Sequence, residues 1–126
     1  MNVPEELRYT EEHEWVEVRD DGTVRVGITD YAQDQLGDVV FVELPEVGRE
    51  YEAGAMLAEV ESTKSVAEVY APLAGTVTAV NEALIDTPEL VNQDPYGEGW
   101  FATLQPGSEP DFTSFLDAGA YRSLVE

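Results

Sequence analysis

Apolar and polar residues alternate with a period of two along most of this chain, and that period predicts strands. Glu14-Trp15-Val16-Glu17-Val18-Arg19 alternates, breaks at Asp20-Asp21-Gly22, and resumes as Thr23-Val24-Arg25-Val26-Gly27-Ile28. The segment 14–28 therefore reads as a hairpin with one buried face. Further strands are predicted over 38–44, 56–61, 66–70, 76–80 and 100–104, with Pro45, Gly48, Gly54, Pro72, Gly75 and Pro106-Gly107 as punctuation. Three segments depart from the period. Thr29 or Asp30 caps a short helix over 31–36 that Gly37 stops. Thr87-Pro88-Glu89 opens another short helix, with proline at its first position. From about 111 to 125, Phe112, Phe115, Leu116, Tyr121, Leu124 and Val125 predict a C-terminal helix that packs on the strands. Gly22-Thr23-Val24 is echoed by Gly75-Thr76-Val77, and Val40-Phe41-Val42-Glu43-Leu44-Pro45 by Trp100-Phe101-Ala102-Thr103-Leu104 with Pro106 after it. Two half-domains of similar order would give a quasi-symmetric, mostly β sandwich with its tight turns at the two ends.

Length and composition narrow this picture. The chain of 126 residues is expected to be one domain, 1–126, and 43% hydrophobic residues suffice for a core without staples. Cysteine is absent, which excludes disulfides, thiolate metal sites and a cysteine nucleophile. Any sulfur redox chemistry would have to come from a cofactor. The longest apolar runs, such as Val39-Val40-Phe41-Val42, are too short to span a membrane. The acidic start, Met1-Asn2-Val3-Pro4-Glu5-Glu6, has no feature of a targeting segment, so a cytoplasmic protein is expected.

Charge changes the picture further. Twenty-seven acids against 6 bases leave −21, a surface that repels nucleic-acid phosphate and anionic membranes, so neither is an expected partner. Ordinary apolar content and strand patterning argue against disorder. Self-repulsion on this scale is screened at ~1 M salt, where the Debye length is about 3 Å. A salt-adapted source is therefore expected, and that adaptation would also account for the scarcity of lysine.

Lys64 is the one lysine; the other bases are Arg8, Arg19, Arg25, Arg49 and Arg122. An ε-amine can lose its proton and be acylated, whereas a guanidinium stays charged. Lys64 falls between two predicted strands, beside the small residues Ser62, Thr63 and Ser65 and among Glu59, Glu61 and Glu68. Acylation there would leave a neutral amide on a long stem, a sensible mount for a swinging cofactor. Position alone leaves an ordinary surface lysine equally open. His13, the only histidine, excludes a multi-histidine metal site and reads as structural. Trp15 and Trp100 read as core aromatics. Asp20-Asp21-Gly22 lacks the spaced oxygen ligands of a calcium loop. No Gly-x-Ser-x-Gly elbow, phosphate-binding glycine loop or nucleophile–base pair is present.

Longer segments carry a resemblance that runs nearly end to end. They are Tyr9-Thr10-Glu11-Glu12-His13-Glu14-Trp15-Val16, Val26-Gly27-Ile28-Thr29-Asp30-Tyr31-Ala32-Gln33 and Leu36-Gly37-Asp38-Val39-Val40-Phe41-Val42-Glu43-Leu44-Pro45. Val60-Glu61-Ser62-Thr63-Lys64-Ser65, Pro72, Gly75, Asn81, Leu90-Val91-Asn92 and Pro95-Tyr96-Gly97-Glu98-Gly99-Trp100 follow in order. The chain resembles the H-protein family of the glycine cleavage system. That resemblance implies a flattened β-barrel or sandwich of the lipoyl, hybrid-hairpin type with short flanking helices and a C-terminal helix. It implies lipoate held as an amide on Lys64. The carrier would receive an aminomethyl group from a pyridoxal-phosphate glycine decarboxylase and pass it to a tetrahydrofolate-dependent aminomethyltransferase. A flavin-dependent dihydrolipoamide dehydrogenase would reoxidise the arm with NAD, and a lipoate-attaching enzyme would load Lys64. The carrier, expected to be a monomer, would catalyse none of these steps.

The resemblance also implies a sheltered arm. An aminomethyl thioether hydrolyses in water, and its cationic amine calls for carboxylates. Glu14, in His13-Glu14-Trp15, and Glu68 are the implied contacts, with a plain surface role open for each. Gln35 stands where the family can have histidine, and Glu12 where it often has a small polar residue. A biotinyl domain would carry methionine on both sides of the lysine, where Thr63 and Ser65 stand. The segments before 45 and after 95 argue against a lipoyl domain of a 2-oxo acid dehydrogenase. The alternative that stays open is an H-like protein acting as a lipoate donor or binding module outside glycine cleavage.

Overall fold

The computed structural model describes residues 2–108 and 112–126. Two antiparallel sheets face each other. One is built from β1 (Arg8–Tyr9), β2 (Glu14–Val18), β3 (Val24–Ile28), β5 (Glu50–Tyr51), β8 (Gly75–Val80) and β9 (Ala102–Pro106), in the order β1-β2-β3-β9-β8-β5. The other is built from β4 (Val39–Glu43), β6 (Met56–Ser62) and β7 (Val66–Tyr70), in the order β4-β6-β7. Short helices flank them: α1 (Asp30–Leu36), α2 (Ala83–Asp86), α3 (Leu90–Gln93) and α4 (Ala118–Val125). The mostly β, flattened sandwich expected from the sequence is what forms. Its two sheets are unequal, however. Of the two sequence echoes, one leads into β3 and β8, which flank β9 on either side, while the other falls on β4 and β9 in different sheets.

The apolar faces of the sheets meet in the core. Val16, Val24, Val26, Val77 and Leu104 come from the larger sheet and pack with Leu57 and Ala71. Val42, Val60 and Val69 of the smaller sheet pack with Ile28, Leu84, Val91 and Phe101. Each such buried side chain contributes about 1.5–3 kcal/mol, whereas an exposed ion pair contributes roughly 0–1. The ion pairs among the described residues, Arg19–Glu17 and Arg122–Glu5, are exposed. Apolar burial therefore holds the fold.

The hairpin of β2 and β3 has the predicted turn, tightened by Asp21, whose Oδ1 accepts from the Thr23 backbone N–H at 3.0 Å. Its one buried face is true only near that turn. At the other end Glu14, Trp15 and Val16 are all buried, because Trp15 faces a third cluster with Tyr9, Ala118 and Tyr121. Trp15 lies opposite Gly27, where an added Cβ would come within 2.6 Å of the indole. Glycine leaves room for the ring, whose Nε1–H donates to Pro95 O at 2.9 Å.

Several boundaries move. The helix expected at Thr87-Pro88 is Leu90–Gln93, with Pro88 in the turn before it. The strand expected over 100–104 is Ala102–Pro106. The C-terminal helix expected over about 111–125 is helical over Ala118–Val125, with Asp117 Oδ1 accepting from the Ala120 N–H. Leu116 instead pairs with Tyr9 through two backbone hydrogen bonds of 2.8 Å, and Asp111 lies outside the described residues.

Candidate functional site

Lys64 sits at the tip of the β6–β7 hairpin, and buried Ser62 builds that tip. The Ser62 N–H donates to Ser65 O at 2.7 Å, and its hydroxyl donates to the same carbonyl at 3.1 Å. Ser62 Oγ in turn accepts from the backbone N–H of Lys64 at 3.3 Å and of Ser65 at 3.0 Å. Thr63 N–H donates to Asp38 O at 3.0 Å, which pins the tip to the start of β4. The backbone is fixed and the lysine side chain is exposed.

The stem of Lys64 crosses the Gly37 turn. A Cβ on Gly37 would stand 3.4 Å from Lys64 Cε, and Gly37 has φ +81°. That distance is ordinary contact; the positive φ is what favours glycine there. Asn92 braces this turn: its Nδ2 donates to Gly37 O at 2.8 Å and to Gln33 Oε1 at 2.9 Å, and its Oδ1 accepts from Val39 N–H at 2.9 Å.

Beside the hairpin lies a cleft of about 360 Å³. The corner before β2 supplies Glu12, His13 and Glu14; α1 supplies Tyr31, Ala32, Gln35 and Leu36; β6, β7 and their turn supply Val60, Ser65, Ala67, Glu68 and Val69. Ile28 completes the lining. Ser65, next to Lys64, joins the tip to this cleft. Glu14 is 2% exposed, yet its carboxylate meets no basic side chain among the described residues. Its Oε1 accepts from the Thr10 hydroxyl at 2.6 Å and its Oε2 from the Tyr70 backbone N–H at 3.3 Å. Burial pushes its pKa up, and those two hydrogen bonds oppose the shift without cancelling it. Glu68 is exposed on the same cleft, and its Oε2 accepts from the Tyr70 hydroxyl at 2.8 Å.

His13 is half-buried and has φ +71°, the one non-glycine residue with positive φ among those described. Its ring lies 5.0 Å from that of Tyr31, and its Nδ1 is 2.8 Å from the Tyr121 hydroxyl. Burial lowers its pKa, against a smaller opposing effect of Glu12. The expected structural packing of His13 holds, although its ring also faces the cleft.

The structure thus brings Glu14 and Glu68 to one cleft and leaves Lys64 exposed beside it. Glu14 is an interior carboxylate, not a surface one. The site roles of Ser62, Thr10, Asn92 and Tyr121 are not among those the sequence predicts. Only Ser62 had a local signal, a hydroxyl at the last position of a strand ahead of a tight turn. The donor set fits a hydrocarbon arm ending in a cation: Ile28, Leu36, Val60 and Val69 give apolar walls, and Glu14 waits without a positive partner. No group of three or more His, Asp or Glu side chains placed to hold a metal ion occurs among the described residues.

Comparison with known proteins points the same way. The family model described as glycine cleavage H-protein matches residues 7–126. Glycine cleavage system H proteins of Thermus thermophilus and Mycobacterium avium are 56% and 58% identical. The first match covers 100% of this chain and 98% of the relative, the second 98% and 97%. The H protein of Halorhodospira halophila is 54% identical, covering 98% of this chain and 95% of that one. The crystal structure of a glycine cleavage system H protein from Mycobacterium marinum superposes with a TM-score of 0.86 at 42% identity, over 96% of this chain and 97% of that one.

Proposed function

The chain belongs to the glycine cleavage H-protein family, the lipoyl carriers of the glycine cleavage system, and from that membership we propose that Lys64 holds lipoate as an amide and that the neighbouring cleft shelters the arm. When bound, the lipoyl group supplies a disulfide that takes up a one-carbon amine and electrons. The protein's own residues do the rest. Ser62 and Thr63 fix the tip so that the amine of Lys64 is offered to an attaching enzyme in one orientation. Gly37, at φ +81°, makes the turn that the stem crosses. Ile28, Leu36, Val60 and Val69 exclude water from a folded-back arm, and Glu14, with Glu68 at the mouth, neutralises its cationic end.

One observation carries this reading: a buried carboxylate, Glu14, hydrogen-bonded by Thr10 and Tyr70 but lacking a cation, inside a cleft that begins next to the sole lysine. A buried charge of that kind costs stability unless a ligand of opposite sign arrives. The partners that follow are the glycine decarboxylase, the aminomethyltransferase, dihydrolipoamide dehydrogenase and the lipoate-attaching enzyme. The carrier acts as a monomeric, non-catalytic, cytoplasmic domain comprising 1–126. No helix among the described residues is long and apolar enough to cross a membrane.

Intact mass with a peptide map tests the attachment. One lipoyl increment on the peptide containing Lys64 is expected, and Lys64→Arg should abolish it while leaving stability within about 0.5 kcal/mol, as for other exposed substitutions. Lipoate on another group would refute the assignment. Reconstitution of glycine decarboxylation tests the role; a lipoylated chain that never accepts the one-carbon amine would favour the lipoate-donor alternative.

A further inference from the structure

Tyr121 reaches the cleft from behind. Its ring is fully buried on α4 and stacks on Tyr9 with centroids 4.9 Å apart. Its hydroxyl stands 2.8 Å from His13 Nδ1 and 2.7 Å from Thr29 Oγ1. These partners belong to two different walls. His13 lies in the corner that delivers Glu12 and Glu14, and Thr29 caps α1, which delivers Tyr31, Ala32, Gln35 and Leu36. Thr29 N–H also donates to His13 O at 3.1 Å, so the two walls are joined at one place.

Counting hydrogens gives the direction of this chain. The Ala32 backbone N–H donates to Thr29 Oγ1 at 3.2 Å, which leaves the threonine hydrogen free to give. Given to the tyrosine oxygen, it lets Tyr121 donate to His13 Nδ1, and each hydroxyl then donates once and accepts once. In the opposite direction Thr29 would accept twice, and its own hydrogen would have no acceptor among the described residues. The first direction wastes nothing, and unmade buried hydrogen bonds are the costly ones. With Nδ1 occupied as an acceptor, the proton of the neutral ring sits on Nε2.

We infer that Tyr121 is a positioning residue for the carrier: through its hydroxyl it holds His13 as the neutral Nε2–H tautomer and ties together two walls of the cleft beside Lys64. The inference rests on the reading that the cleft shelters the arm. Its chemical consequence is specific. A neutral His13 is a donor that does not compete with a cationic cargo for Glu14, as an imidazolium in the same place would. Burial, which pushes the ring's pKa down, acts in the same direction.

His13 is the only histidine, so labelling with 15N-histidine gives one imidazole to read. In the unmodified protein near neutral pH, an unprotonated Nδ1 and a protonated Nε2 are expected. Tyr121→Phe should bring the other tautomer into view. In the lipoylated, loaded protein it should speed loss of the one-carbon cargo to water, read as formaldehyde released, by roughly 2- to 10-fold, the span set by one ordinary hydrogen bond. Tyr9→Phe is the control. It loses a comparable hydrogen bond, Tyr9 hydroxyl to Pro4 O at 2.6 Å, away from the cleft, and should leave both readings at wild type.

A wild-type ring protonated at Nδ1 would overturn the inference, and this measurement needs no variant to fold. Equal effects of Tyr9→Phe and Tyr121→Phe would overturn it too, because they would mean packing alone. Glu14→Gln separates it from the reading beneath it. If Glu14→Gln speeds cargo loss and Tyr121→Phe does not, Tyr121 has no positioning role and the shelter stands. If neither does, the shelter itself falls.

Discussion

Glu14 shows how much can hang on one residue's surroundings. Its carboxylate is buried, held by two donors, and unmatched by any cation among the described residues. Burial raises its pKa, so its charged form is stabilised less in the fold than in the unfolded chain. A group with a raised folded pKa favours the folded state at pH below the unfolded pKa, and that advantage is lost as pH rises through the folded value. Glu14→Gln should therefore stabilise the protein at pH 7 by about 0.5–2 kcal/mol, the return commonly seen when a functional site is relaxed. The gap between variant and wild type should close as pH falls toward 4 in urea-unfolding curves. A gap that widens on acidification would show that the carboxylate is not the destabilising group. The same variant should retain a loaded arm poorly, so stability and carrier function should part company at this position. In the sequence Glu14 shares parity with Val16, which is the inward face of the strand. A glutamate at a strand's first residue also reads as a solvated end, and only its meeting with Thr10 and with Tyr70, 56 residues away, decides between the two.

Among elements, the β6–β7 hairpin gives the sharpest test. Ser62 organises the tip through its hydroxyl, and the amides it accepts from belong to Lys64 and Ser65. Ser62→Ala should cost about 1 kcal/mol, because water can reach those amides in its place. It should also speed hydrogen exchange at Lys64 and Ser65 and slow attachment of lipoate. Unchanged exchange at both amides would mean that Thr63 N–H to Asp38 O fixes the tip alone. Most elements of five or more residues were legible because a period needs several residues to declare itself, and α3, with four, was legible from the proline before it. Strands β2, β3, β4, β6, β7 and β8 and helix α1 all met that condition. Strands β1 and β5 have two residues each and α2 has four, too few for any period, and none was foreseen. The C-terminal helix is shorter than the sequence predicts because Phe112, Phe115 and Leu116, though apolar at helical spacing, lie outside it. They are spent on core packing and a bridge to Tyr9. Lys64 was legible from its scarcity. The cleft was not, since its walls come from segments far apart in sequence whose meeting no local pattern records.

At the scale of the whole molecule, a charge of −21 sets the conditions under which the fold is comfortable. Lys64 and all but a few of the acids stand without an ion-pair partner among the described residues, so repulsion is relieved mainly by added salt. Raising KCl from 0.1 M to 1 M should raise the melting temperature, by roughly 4 °C for each ~1 kcal/mol of repulsion relieved in a domain of this size. A flat or falling melting temperature would count against adaptation to a salty interior. The contact between His13 and Tyr121 has a consequence of another kind, in time. It joins residues 108 apart, while the three strands that present Lys64 all lie between 39 and 70. Contacts so distant must wait for the chain between them to be made and gathered in. On the ribosome, then, the strands that present Lys64 and every residue that lines the cleft are made before the Tyr121 that braces it.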